Sequence, residues 1–274
     1  MLKFTGSGDI RRAVNEVLAS WPDLAGMVVV DIPAGKGRLS RHLQDLGARV
    51  EAYDLIPEFF EADGITCSRA DLTKTLPIPD RHADIVICQE GIEHLPDQLH
   101  LFGELSRILK PGGRLLLTTP NDSNLRAKVS RVLVESDLYN RQPPNELDAV
   151  WFLKDGERYF GHLFLVGVQK IRVLARMQGL QIKRLFPVKV SHSALLLGIL
   201  YPLVLAFNLF AYWRASVNAG VENAEEQRRV RSEILRLNLD PRVLFGKHLF
   251  IELERMDNTG VIVPDPNRSR DSIL

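Results

Sequence analysis

The segment Glu90-Gly91-Ile92-Glu93-His94 sets two carboxylates and an imidazole at i, i+3 and i+4, on one face of a helical turn. With His162 of Phe160-Gly161-His162 as a fourth ligand from a distant loop, these groups have the donor types to hold a divalent cation such as Mg2+. A cation there would lower the pKa of a substrate hydroxyl and ready it for attack. The same residues also read, and more commonly, as a brace for their loop with no metal. Then His94 or His162, with Glu93 alongside, is the candidate general base, because imidazole titrates near neutrality. A second group lies upstream. The apolar run Val28-Val29-Val30 ends on Asp31, breaks over Pro33, Ala34, Gly35 and Gly37, and enters a helix-like segment. A buried parallel strand hands over in this way to a loop pressed against a nucleotide-like cofactor. Glycine is needed where a side chain would hold the backbone off the ligand.

Such groups need a scaffold, and strand and helix signals alternate along the chain. A helix over 10–18 precedes strands over 27–32, 49–54, 65–70, 83–89 and 114–119. Helices over 39–46 and 97–109 fall between them, the second stopped by Pro111-Gly112-Gly113. A helix over 163–179, a strand over 180–190 and a last strand over 247–255 complete the pattern. Near-continuous apolar strands alternating with helices imply a parallel sheet covered on both faces. Ligands of such sheets bind beyond the carboxyl ends of the strands, where strand order reverses. Each polar residue above falls at such an end. The tail from Met256 is too polar to pack and reads as disordered.

Taken in order, five motifs resemble the class I S-adenosylmethionine (SAM) dependent methyltransferases, and within them the small-molecule branch of ubiquinone-type O-methyltransferases. They are Val-Val-Asp-Ile-Pro-Ala-Gly-Lys-Gly, Val-Glu-Ala-Tyr-Asp, Arg-Ala-Asp-Leu, Asp-Ile-Val-Ile-Cys-Gln-Glu-Gly-Ile-Glu-His-Leu and Arg-Ile-Leu-Lys-Pro-Gly-Gly-Arg-Leu-Leu-Leu-Thr-Thr-Pro-Asn. The resemblance spans about residues 20–190 and the last strand. It implies a Rossmann-like α/β fold: a seven-stranded sheet, mostly parallel with the last strand antiparallel, and helices on both faces; this chain's own residues add a hydrophobic helical insertion before the last strand. It also implies that Asp31 and the turn Pro33–Ala34–Gly35–Gly37 approach the methionyl and ribose parts of SAM. Asp54, followed by Leu55, would accept both ribose hydroxyls, and Asp71 with Leu72 would flank the adenine. Gln89 and Glu90 would face the methionyl portion. Proline stands at position 33 where the family has glycine, so the turn works without an N–H there. The Glu-x-x-Glu-His pattern is similar to that of metal-assisted O-methyltransferases, including small-RNA 2′-O-methyltransferases. Residues 121–160, with Tyr139, Asn140, Arg141, Trp151 and Tyr159, lie where the family varies to suit its acceptors.

Residues 194–212 carry no charge over 19 positions, about the length that spans a bilayer. If the last strand returns to the same sheet, both ends of this insertion must lie on one side, so one complete crossing is excluded. A re-entrant or interfacial element broken near Gly198 or Pro202 remains, as does a buried lid or a homodimer contact. His192, Arg214, Lys183, Arg184, Lys189, Arg228, Arg229 and Arg231 suit anionic headgroups on a cytoplasmic face, and Tyr212 and Trp213 suit an interface. An amphipathic surface helix is expected over 222–237. The expected organisation is a methyltransferase domain of residues 1–190 plus 247–255, an insertion of 191–246 and a tail of 256–274. A net charge of +1 gives no general field for nucleic acid, and none is expected as partner. Cys67 and Cys88 sit in apolar segments and read as reduced core residues of a cytoplasmic protein. The expected activity is O-methylation of a lipid-linked or amphiphilic acceptor at the cytoplasmic face of a membrane. The competing readings are a methyltransferase on a soluble metabolite, with the insertion as lid or dimer contact, and a SAM-binding accessory protein without catalysis.

Overall fold

The computed structural model describes residues 10–21, 24–152, 156, 158–217 and 224–256. In chain order they form α1 (Ile10–Ala19), β1 (Val28–Asp31), α2 (Arg38–Asp45), β2 (Arg49–Asp54), β3 (Cys67–Arg69), β4 (Ala83–Gln89), α3 (Gln98–Ile108), β5 (Leu109–Pro120) and α4 (Leu125–Val134). There follow β6 (Val150–Phe152), β7 (Arg158–Phe160), α5 (Val168–Met177), β8 (Leu180–Leu185), α6 (His192–Leu196), α7 (Tyr201–Val217), α8 (Ala224–Leu239), α9 (Pro241–Phe245) and β9 (His248–Arg255).

Seven strands form one sheet in the order β3-β2-β1-β4-β5-β9-β8. β1, β2, β3, β4 and β5 pair in parallel, while β9 runs antiparallel to both β5 and β8. The expected fold class is the one observed. Apolar strands are buried because both faces are covered. Val14, Leu18, Leu39 and Leu43 of α1 and α2 pack with Val29 and Ile87 on one side. Phe102, Leu105, Ile171 and Ala175 of α3 and α5 pack with Val30, Val86 and Leu117 on the other. Strand order reverses between β1 and β4, which opens a crevice at their carboxyl ends.

Local chemistry sets the element ends. Asp97 and Asn124 cap α3 and α4 by accepting the amides of His100 and Ala127. The helix expected over 163–179 starts only at Val168, because the Phe164 amide donates to the Glu93 carbonyl and holds 163–167 as a loop. The strand expected over 180–190 stops at Leu185, and Val190 forms a lone bridge with Gly246. The antiparallel pair β6–β7 was not foreseen; its strands are three residues each, too short to show a period.

The apolar insertion is helical from His192 to Val217, tightening to a 3-10 turn over Leu197–Leu200, where a break near Gly198 was expected. α8 returns alongside α7: Arg231 donates to the Ala215 carbonyl and Asn238 to the Asn208 side chain, an antiparallel register. α7 buries none of its residues, so it is not a core helix. The disordered tail expected from Met256 lies, beyond that residue, outside the described residues.

Candidate active site

The turn after β1 is built around two carboxylates. Asp31 ends the strand, is 1% exposed, and accepts the Ser40 hydroxyl of α2 at 2.6 Å. Burial pushes its carboxyl up to about 7, with the nearby Asp54 charge adding to the rise against the Ser40 hydrogen bond. Asp54, at the end of β2, accepts the Gly35 amide at 2.8 Å on one oxygen and the Ile56 amide at 2.9 Å on the other. Each oxygen keeps a lone pair for a further donor such as a ribose hydroxyl. Gly35 has φ +52° and open space where a Cβ would sit, so the turn presents bare backbone to the crevice. Gly37 has φ +75° and lies against Phe60, where a Cβ would meet ring carbons at 2.6 Å. Pro33 takes up its missing donor by packing: its ring lies against Gly91, leaving no room for a Cβ there.

Leu55 and Leu72 are half-buried at the rim, and Leu72 packs on the core. Asp71 accepts the Thr73 amide and hydroxyl at 2.9 and 2.7 Å, with Lys74 at 3.0 Å. Burial would raise its carboxyl, but these hydrogen bonds and the ammonium hold it below the usual range. It is therefore ionised and holds its loop closed. The Gln89 amide nitrogen is buried and has no hydrogen-bond partner among the described residues. A donor left in that state fits a bound anionic group such as the carboxylate of a methionyl moiety. Open backbone, a two-oxygen acceptor and an orphaned donor thus fit SAM.

The expected helical face Glu90–Glu93–His94 does not form. Glu90 has φ +51° and stands outside the 3-10 turn Ile92–His94. Its side chain turns to the Thr118 hydroxyl at 2.9 Å and to His248 at 3.5 Å. Burial, then the Glu93 charge, push its carboxyl up to about 8. Glu93, His94 and His162 do come together, with one donor atom of each within 4.8 Å of the others. Glu93 is 0% exposed; one oxygen accepts the Thr119 hydroxyl at 3.0 Å and the other has no partner among the described residues. Burial pushes it up to about 7. His94 Nδ1 lies 2.6 Å from the Phe160 carbonyl and so carries the proton, which leaves Nε2 as acceptor. Burial lowers both His94 and His162, which favours the neutral ring in each.

The structure gives contacts to residues for which the sequence supplied none. Thr118 and Thr119 of β5 fix the two glutamates. Gln98 donates to the Phe164 carbonyl at 2.6 Å and holds the His162 loop onto the cluster. Tyr159 stacks on His94 at 5.2 Å, and burial, with the Glu93 and Asp54 charges adding to it, raises its phenol. Paired polar residues near the end of an apolar strand, as in Thr118-Thr119 of β5, were the available signal.

A family model described as a methyltransferase domain matches residues 5–185. A ubiquinone biosynthesis O-methyltransferase of Xanthomonas oryzae pv. oryzae (strain PXO99A) is 38% identical over 108 residues, 36% of this chain and 45% of that protein. One of Xylella fastidiosa (strain M23) is 36% identical over 110 residues, 36% of this chain and 44% of that protein. The chain therefore spans just under half the length of these curated relatives. An S-adenosylmethionine dependent methyltransferase structure from Mesorhizobium loti aligns at a TM-score of 0.50 with 18% identity, covering 88% of this chain and 96% of that one. That likeness speaks for the fold alone.

Proposed function

We propose, from the premise that this chain belongs to the methyltransferase-domain family and is a SAM-dependent methyltransferase, that it methylates a hydroxyl oxygen of an amphiphilic or lipid-linked acceptor at a membrane surface. The supporting observation is the meeting of Glu93, His94 and His162, with Tyr159 stacked on His94, just after Gly91, which packs against Pro33 of the glycine turn. SAM, when bound, supplies an electrophilic methyl group. Asp54 and Gly35 would hold its sugar, Gln89 its carboxylate, and Asp71 with Leu72 would border its base. His94 Nε2, fixed by the Phe160 carbonyl, is placed to take the acceptor proton as the oxygen attacks. Tyr159, stacked on His94, and Trp151, 5.9 Å from it, would border the acceptor, which must meet the methyl in line.

The trio also fits a dication, because the Glu93 oxygen is buried without a partner. A bound cation would supply Lewis acidity at the acceptor hydroxyl. Two imidazoles and one carboxylate suit a transition-metal dication better than Mg2+, which prefers oxygen donors. Glu90 is aimed elsewhere and is not part of that set. The expected association with the cytoplasmic face rests on the exposed apolar helix.

The test is transfer of labelled methyl from SAM into fractionated extracts, with chelator and with Mn2+ or Mg2+ restored. Label in a lipid-soluble product as a methyl ether is expected, lost in His94→Ala. No label in any fraction, or label only on nitrogen or in water-soluble product, defeats the reading.

A further inference from the structure

Surface helices bury an apolar face and show water a polar one. The insertion does the reverse. Leu196, Ile199, Leu203, Phe207, Phe210 and Trp213 recur at three- and four-residue steps and are all exposed, Leu196 and Ile199 by more than 80%. Residues 193–213 contain no Asp, Glu, Lys or Arg. The opposite side, with Val204 and Asn208, meets the body and α8. α8 is the polar partner layer. Its Glu233 is spent on Arg172 and Arg176 of α5, at 4.0 and 3.4 Å. Exposed Arg228, Arg229 and Arg236, with Arg214 of α7, outnumber exposed Glu225 and Glu226. Among the described residues the hairpin thus has one apolar slab and one basic slab, on which exposed arginines outnumber exposed glutamates.

Its stem is pinned. Ser191 donates to the Phe245 carbonyl at 2.7 Å and Lys247 to the Lys189 carbonyl at 2.8 Å, on either side of the Val190–Gly246 bridge. Exit and return therefore share one point on the carboxyl edge of the sheet. A crossing by α7 would drag α8, with seven charged residues, back through hydrocarbon.

We propose that α7 and α8 form a monotopic anchor: the hairpin lies in the plane of an anionic leaflet, with the Leu196–Trp213 face among the acyl chains, the arginines at the headgroups, and no crossing. This inference rests on the membrane-side reading of the function above. The basic slab is what selects a bilayer over a second copy of this chain, whose own basic slab would repel it. The stem is also tied to the pocket: Asn121 donates to the carbonyls of Val243 and Gly246 at 2.8 and 2.9 Å, and His248 touches Glu90. Stem and carboxyl-end crevice thus share one edge of the sheet, and on the proposed anchor an acceptor with a lipid tail would reach the crevice laterally.

The test is flotation of the purified full chain with vesicles of phosphatidylcholine alone or with phosphatidylglycerol. Flotation with the anionic vesicles is expected, reduced by more than about tenfold in Phe207→Glu and Phe210→Glu. Both variants should keep the SAM affinity of the parent by calorimetry. Arg228→Glu with Arg229→Glu should erase the preference for phosphatidylglycerol. In Ser216→Cys on vesicles, a membrane-impermeant thiol reagent added outside should label the new cysteine above the parent background; protection would overturn the in-plane placement. No flotation, or a dimer in sedimentation that Phe207→Glu dissolves, overturns the anchor in favour of a contact between copies. Absence of heat with SAM would instead sink the functional reading and leave the flotation result standing.

Discussion

At the scale of single residues the pocket is governed by what burial does to carboxylates. Asp31 is enclosed, so its folded carboxyl titrates near 7 against 3.8 in a free chain. Below pH about 4 it is protonated in folded and unfolded chains alike and costs nothing. As pH rises toward 7 only the unfolded chain sheds the proton, so the fold loses stability on the order of 3 kcal/mol. Denaturant midpoints of the ligand-free protein should therefore fall from pH 5 to pH 8, and Asp31→Asn should make that slope shallower, with buried Glu90 and Glu93 keeping the rest. An unchanged slope refutes the account. Asp54 carries the opposite burden, holding the Gly35 and Ile56 amides with a carboxylate that stays reachable. Asp54→Ala removes that acceptor, and calorimetry should show SAM affinity lower by about 100-fold or more, since hydrogen bonds to a charged group are the strong ones. Both residues were legible in the sequence, as acids ending apolar strands. Glu90 was misplaced because a left-handed backbone at a glutamate leaves no mark on spacing, and it swings that side chain off the shared face.

At the scale of elements, what positions the histidines is the small β6–β7 pair. Trp151 lies against Gly161, where a Cβ would meet the indole at 2.9 Å, and Tyr159 rests on His94. If the pair serves the acceptor, as its contacts with His94 and Gly161 support, Trp151→Ala should lower kcat while SAM affinity stays within about twofold. Gly161→Ala should act the same way by forcing the indole aside. A loss of SAM affinity in either variant would show that the pair shapes the cofactor site instead. This element could not be read in advance: three-residue strands carry no period, and their partner contacts are set by folding of the His162 loop onto Glu93 and Gln98. The parallel strands were legible for the contrary reason. They are covered on both faces, so their apolar runs are unbroken, and the turns that end them hold the acids and glycines that mark a binding edge.

At the scale of the whole molecule, the reversal of strand order and the inverted hairpin fall on one edge of the sheet. β8 leaves that edge and β9 re-enters it, pairing Pro120 with His248. The sequence carried half of this: the uncharged stretch and the need for both its ends to lie on one side. What it did not carry is that α7 would expose its apolar face beside a basic partner, since that depends on how α8 packs against α5 through Gln169 and Glu233. If the edge faces a leaflet, acceptor delivery is a surface process. Anionic vesicles should then lower the KM for a long-tailed acceptor and leave that for a short water-soluble analogue unchanged, with kcat the same in both. Raising salt from 0.1 to 1 M shortens screening from about 10 to about 3 Å, so the vesicle effect should shrink as the headgroup attraction is lost. Initial rates at fixed acceptor-to-lipid ratio decide it: equal acceleration of both acceptors would mean that vesicles act on folding or SAM binding, and the shared edge would have no part in how substrate arrives.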